Sequence, residues 1–335
     1  MISTTTQTIS RLPFSPPQQP QQCSEVGVHP HGKLPTHPAA SWETDKPVPL
    51  TRQSLLDLLA GKIPLIKVPG FATQDECTQL VTALLPKLRP YEHATGPAVN
   101  KVGLAQFEFQ AQSEEDYEKR DGSEKQRYFD AAAELRSLHA DLAASSGGTN
   151  LWARIIAAIS GLVQPDWDAG LAAEPSSHPQ SQQQQQQQYF SGIFREINNG
   201  TPIHCDWCPY DCNTEDWILS RITSQAVFNL YLTPVRGGAT TLYDVQWTPD
   251  ALRFRDRASY GYDRKLVEGK RSCRFEPEVG DLYIFNSRNM HEVKELEPCA
   301  GSAGLGDLGR IALASFMGVL PGEETGGKPR LMFWS

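Results

Sequence analysis

The sequence predicts an α+β chain dominated by β structure, with helices first and a strand-rich second half. Three observations carry this. Apolar residues recur with a 3.6-residue period only between residues 51 and 163. From Tyr189 onward the apolar stretches are short and broken by Gly, Pro, Asn and Asp, the pattern of sandwiches, jelly rolls and barrels. Residues 1–45 are rich in Gln, Pro, Ser and Thr, show no apolar period, and read as a disordered tail.

The elements follow in order. Thr51 to Gly61 carries Leu55, Leu56, Leu58 and Leu59, a short amphipathic helix that Gly61 ends. Residues 63–68 read as a strand. Thr73-Gln74-Asp75-Glu76 is a capping-box pattern, in which hydroxyl and carboxylate satisfy each other's backbone amides. The helix behind it carries Cys77, Leu80, Val81, Leu84, Leu85 and Leu88 on one stripe and stops near Pro90. Residues 124–143 and 149–163 read as two more helices, the second marked by Trp152, Ile155, Ile156 and Ile159. A Gln-rich loop over 171–188 separates this helical support, 46–170, from a strand-rich core over 189–320, all within one domain, 46–335. Candidate strands are 189–197, 202–207, 224–232, 239–245, 272–276, 281–286 and 310–319. The charged stretch 246–271 has no strand pattern, and at that length reads as a lid, a binding loop or disorder.

Composition excludes several classes. The net charge is −8 and no basic stripe exists, which disfavours nucleic acid as a partner. No apolar run approaches the ~18 residues of a membrane span. Met1-Ile2-Ser3-Thr4-Thr5 is not a secretory start, and the seven cysteines are expected to be reduced thiols in a cytoplasmic protein.

The chemistry is concentrated in Ile203-His204-Cys205-Asp206, answered 85 residues later by His291. In an extended segment, side chains at i and i+2 share a face, so His204 and Asp206 point the same way. A second imidazole from a distant strand can complete one face of an octahedron. Two His and one carboxylate with three positions open is the arrangement of non-haem Fe(II) oxygenases. The competing readings are a satisfied surface pair and a zinc site built on Cys205, Cys208 and Cys212. The second lacks a downstream C-x2-C to supply further ligands.

The ordered set His204-Cys205-Asp206, Asn229-Leu230-Tyr231-Leu232, Gly237-Gly238-Ala239-Thr240-Thr241, Gly280-Asp281-Leu282-Tyr283-Ile284-Phe285, His291-Glu292-Val293 and Arg310 resembles the iron(II)- and 2-oxoglutarate-dependent dioxygenases, in their prolyl-hydroxylase-like branch. The resemblance covers roughly residues 190–320. It implies a double-stranded β-helix, or jelly-roll, with Fe(II) bound by His204, Asp206 and His291. It also implies 2-oxoglutarate as cosubstrate, O2 as oxidant and Arg310 as anchor of the C5 carboxylate. An Arg suits that role because its planar fork meets a carboxylate with two parallel hydrogen bonds. One departure stands out: Arg310 lies 19 residues after His291, beyond a Gly-rich stretch over 299–309, whereas Lys294 is three residues away. Asn229 and Tyr231 share a strand face and are further candidates for contact with the cosubstrate.

The expected substrate is a small molecule, with Phe194, Arg195, Trp207, Arg221 and Tyr243 near the mouth and the 246–271 segment closing over them. Several Arg residues in an acidic chain suit a carboxylate-bearing substrate such as a free amino acid. The polar tail and Gln run look similar to fungal secondary-metabolite oxygenases of this branch, some of which close L-valine-like amino acids into aziridines. That likeness implies hydroxylation, desaturation or cyclisation. The alternatives are a peptidyl-prolyl hydroxylase and an idle metal-binding jelly roll.

Overall fold

Paired caps start the first two helices. In α1 (Arg52–Leu59), Thr51 accepts from the Ser54 amide and Ser54 returns the bond. In α2 (Gln74–Leu84), Thr73 and Glu76 do the same, as their spacing predicts. Pro86 then ends the regular turns, and Leu85, expected on the buried stripe, is exposed. Glu76 also takes two bonds from the Arg154 guanidinium, at 3.0 and 3.1 Å. Those bonds, against an opposing push from burial, hold its carboxyl down to about 2. A carboxyl depressed in the folded state stabilises above its ordinary value of 4.5 and loses that effect as the pH falls towards 2. Glu76→Ala is therefore expected to cost about 1–2 kcal/mol at pH 7. The urea midpoints of variant and parent should converge below pH 3, and an equal gap at all pH values would contradict this account.

The coordinates are a computed structural model that describes residues 37–91, 98–110, 118–175, 187–212, 215–256, 259–297 and 308–335. The described residues all fall in one compact unit. The expected tail up to 36, the Gln run through 186 and the Gly-rich stretch through 307 lie outside them. The helical layer continues with α3 (Glu124–Glu134), α4 (Leu138–Ser145) and α5 (Leu151–Val163). The single helix expected over 124–143 is thus two, and nothing in the local sequence marks the break.

Two mainly antiparallel sheets form the rest. The larger contains β1 (Leu65–Val68), β2 (Arg89–Pro90), β3 (Val99–Val102), β4 (Asp168–Leu171) and β5 (Ile193–Ile197). The smaller begins with β6 (Thr201–His204) and includes β8 (Thr240–Gln246), β9 (Ser272–Phe275) and β11 (Asn289–Val293). The larger is completed by β7 (Ser224–Tyr231), β10 (Leu282–Phe285), β12 (Ile311–Leu320) and β13 (Arg330–Trp334). The strand orders are β1-β10-β7-β12-β5-β3-β2, with β13 beside β12 and β4 beside β13, and β6-β11-β8-β9. Leu65, Val227, Tyr231, Tyr283 and Phe285 of the first sheet meet Leu242, Cys273 and Phe275 of the second in one buried cluster. This is the jelly-roll of the expected fold class. On β7 the faces alternate: Ala226, Phe228 and Leu230 pack with Leu55, Leu80 and Ile155 of the helical layer, while Val227 and Tyr231 face the barrel interior. Gly280 permits the turn into β10, because its φ is +81° and a Cβ there would stand 2.2 Å from the Ala72 carbonyl oxygen.

The tail boundary needs correction. Residues 37–45 were expected to be disordered, yet Trp42 is 3% exposed inside the barrel cluster. Its amide donates to Asp244 at 3.0 Å, and Arg288 donates to the carbonyls of His37 and Pro38 at 2.7 and 3.1 Å. Contacts from some 200 residues away order a segment whose own composition is that of a free chain.

Candidate metal centre

β6 and β11 lie side by side, and their register sets His204 directly opposite His291. The two ring centroids are 4.2 Å apart. Asp206 follows just beyond the strand end. Its backbone is fixed by the Ser287 carbonyl, which takes its amide at 2.9 Å, and by Gln225 and Ser287 side chains, each donating to its carbonyl at 3.1 Å. One carboxylate oxygen stands 3.5 Å from His291 Nε2. One ligand atom from each of the three side chains lies within 4.8 Å of the others.

Both imidazoles are oriented the same way. His204 Nδ1 is 2.8 Å from the Pro202 carbonyl and His291 Nδ1 is 2.8 Å from the Asn289 carbonyl. A carbonyl only accepts, so each Nδ1 carries the proton and each Nε2 presents a lone pair. Burial, then the neighbouring His291, takes His204 down to about 4, so it is a neutral donor at pH 7. Burial pushes Asp206 up, but its closeness to His291, His204 and the Arg195 guanidinium outweighs this and takes the carboxyl down to about 2. Two neutral imidazoles and one carboxylate are a donor set that fits Fe(II). Phe285 meets the His291 ring edge-on at 5.2 Å and fixes its tilt.

Arg310 stands just ahead of β12 and continues the face of Ala312, which pairs with Tyr231. It is 6% exposed, and its Nη1 donates to the Gly238 carbonyl at 2.9 Å. Asn198 takes its amide at 3.1 Å. Among the described residues no carboxylate pairs with it. A buried guanidinium without an anion is costly, and a dicarboxylate cosubstrate would supply one. Gly238 leaves room, since a Cβ there would come within 3.3 Å of Arg310 Nη1. Lys294 is exposed, past the end of β11. Tyr231 and Thr240 are buried beside Arg310, while Asn229, on the same inward face, is half-buried.

The five side chains expected at the mouth separate. Arg195 lies on the barrel-facing side of β5, beside Ala312. Phe194, one residue earlier, faces the helical layer and is 1% exposed. Trp207 is fully buried, under the Arg288 guanidinium. Tyr243 points out of the smaller sheet, away from His291, and donates to Glu292 at 2.6 Å. Arg221 is committed at the surface to Asp216 and Glu324. These four do not line the mouth: Phe194, Trp207 and Tyr243 each adjoin an inward-facing residue and turn the other way, while Arg221 sits in a surface 3-10 turn. Cys205, Cys208 and Cys212 are free thiols, and the triad is the metal-capable group found among the described residues.

Two aromatic residues join the site: Tyr260, from the 246–271 segment expected to close over the mouth, and Tyr91, which no motif singled out. Tyr260 meets the His204 ring at 5.2 Å. It is carried by a loop in which Arg255 pairs with Tyr262, and the Tyr262 amide donates to the Ile203 carbonyl at 2.8 Å. Tyr91, following β2, is half-buried within electrostatic reach of Arg195 and Asp206, and loss of water around its hydroxyl raises it well above the usual range. No sequence period marks either one. Among the described residues no helix is long and apolar enough to cross a membrane.

Residues 50–324 match the family described as carrier-protein-independent halogenase WelO5. The chain is similar to leucinostatins biosynthesis cluster protein S of Purpureocillium lilacinum, 31% identical over 248 residues, or 73% of this chain and 89% of that one. It is also similar to the L-gamma-glutamyl-L-propargylglycine hydroxylase of Streptantibioticus cattleyicolor, 27% identical over 90% of this chain and 98% of that one. In fold it is similar to an N-substituted L-amino acid dioxygenase of Burkholderia ambifaria solved with alpha-ketoglutarate. That likeness has a TM-score of 0.53 and 14% identity, and covers 84% of this chain and 90% of that one. The chain belongs to the carrier-protein-independent halogenase WelO5 family and is an oxygenase that uses iron, 2-oxoglutarate and O2.

Proposed function

We propose that the protein hydroxylates a C–H bond of a small, amino-acid-derived molecule. In this reading His204, Asp206 and His291 hold the iron and Arg310 holds the C5 carboxylate of 2-oxoglutarate. The observation that carries it is the convergence of the triad with a buried, unpaired guanidinium inside one barrel. Bound iron with its cosubstrate and O2 supplies the oxidising power, and succinate and CO2 are released alongside product.

The chain's own residues do the rest. The Pro202 and Asn289 carbonyls keep both Nε2 lone pairs aimed inward. Arg310 selects a dicarboxylate of fixed length by its forked donors. Tyr231 and Asn229 are proposed to contact the same cosubstrate. Tyr260 covers His204 and narrows the mouth, which suits a small molecule better than an extended peptide.

Asp206 bears on the outcome. His204, Asp206 and His291 would hold the iron through two imidazoles and a carboxylate, the donor set of ferrous oxygenases, so we read the reaction as oxygenation, whatever other members of the family do. The substrate class draws support from the hydroxylase relative, whose name specifies a γ-glutamyl amino acid. A role in secondary metabolism draws support from the biosynthesis-cluster relative. The test is a screen of free amino acids and γ-glutamyl dipeptides for stimulated succinate release, followed by mass spectrometry. A gain of one oxygen is expected. A loss of two hydrogens would replace hydroxylation with desaturation or ring closure, as for an L-valine-like substrate closed to an aziridine, and a halogenated product would overturn the role given to Asp206.

A further inference from the structure

We propose that Arg195 is the receptor for a free carboxylate on the substrate, flanked by Tyr91 and Tyr260, so that the enzyme takes acids and rejects their amides, esters and thioesters. This rests on the iron and 2-oxoglutarate reading above.

Position comes first. β5 pairs with β12 through Arg195 and Ala312, and with β3 through Arg195 and Lys101. Ala312 belongs to the cluster between the two sheets, so Arg195 shares the inward face. It is close enough to Asp206 and Tyr91 to act on both electrostatically, yet it forms no ion pair among the described residues. Its Nε is buried without a hydrogen-bond partner. A buried guanidinium nitrogen left unbonded is costly unless something arrives to meet it.

Charge points the same way. Asp206 and the two carboxylates of 2-oxoglutarate balance a ferrous ion and Arg310. Lys101, the neighbour of Arg195 across β3, is already paired with Glu108. Arg255 is turned to the Tyr260 carbonyl and the face of the Tyr262 ring. Among the described residues Arg195 has no carboxylate partner, and one arriving carboxylate neutralises it through two parallel bonds. Tyr260 meets the His204 ring at 5.2 Å and Tyr91 lies within electrostatic reach of Arg195 and Asp206, and these are the two phenols assigned to flank the carboxylate. A carboxylate anchored there would hold the rest of a small substrate against the open side of the triad.

The test uses the full chain loaded anaerobically with Fe(II) and 2-oxoglutarate. The probes are the free L-amino acids and their γ-glutamyl dipeptides, each beside its carboxamide. Binding is read as a shift of the visible charge-transfer absorption, and succinate is measured after air is admitted. At least one free acid should bind about 100-fold more tightly than its amide. Arg195→Gln should erase that preference by raising KM for the acid about 100-fold with little change in kcat or in the 2-oxoglutarate titration, and Arg195→Lys should restore part of it. The proposal is overturned if acids and amides act alike, if no acid acts, or if Arg195→Gln raises the 2-oxoglutarate requirement instead. Failure of the absorption to form before any amino acid is added would instead remove the metal-site reading on which it stands.

Discussion

Asp206→Ala is expected to lower substrate-dependent succinate formation by about three orders of magnitude while leaving the fold intact. Loss of a group that merely orients a metal ligand costs roughly 10–100-fold in metal affinity or activity, and loss of a ligand itself costs more. Asp206 is the only anionic donor of the three, so its removal takes away both a coordinating oxygen and the charge that offsets the cation. The fold should survive because Ser287 and Gln225 hold Asp206 through its backbone, not its carboxylate. Succinate measured by mass spectrometry, with thermal unfolding as the control, checks both halves. Near-native activity would remove Asp206 from the metal site.

Arg310→Ala should raise the 2-oxoglutarate concentration needed for half-maximal rate by about 100-fold, because it deletes a desolvated charge together with its two-point geometry. Excess cosubstrate should recover much of the rate. Arg310→Lys should fall between, keeping the charge and losing the fork. Lys294→Ala should be silent, since that side chain is exposed. The variant also frees the Gly238 carbonyl, so a stability measurement must accompany the kinetics. An unchanged 2-oxoglutarate requirement in Arg310→Ala, with a raised one in Lys294→Ala, would exchange their roles.

Much of the architecture was legible because local patterns and tertiary packing agree. The Thr73–Glu76 cap formed as spaced, and β7, β8, β9, β10 and β12 fall within a residue or so of the expected strands. The strand carrying His291 was not among them. Asn289-Met290-His291-Glu292-Val293 is too polar to read as a strand, because its inward positions serve the site. β13 escaped for the opposite reason: Leu331-Met332-Phe333-Trp334 is buried on both faces and shows no alternation. Trp42 escaped because composition averages over a window, whereas one indole and a few long-range hydrogen bonds decide whether that segment is held.

The site divides along similar lines. His204, Asp206 and His291 were legible because an H-x-D step in extended chain leaves little freedom. Phe194 and Trp207 were misplaced although parity could have excluded them: each adjoins an inward-facing residue, Arg195 or Asp206, and so turns away. Tyr91 and Tyr260 come from a strand end and a loop outside the motif-bearing strands. Their approach to the metal face is fixed by hydrogen bonds, such as Tyr262 to Ile203, that no periodicity announces.

The most direct measurement is the anaerobic visible spectrum of the protein titrated with Fe(II) and then 2-oxoglutarate. The parent should develop a weak charge-transfer band, and His204→Ala, Asp206→Ala and His291→Ala should each lose it. No band in the parent, or an undiminished band in the variants, would contradict a ferrous centre held by those three side chains.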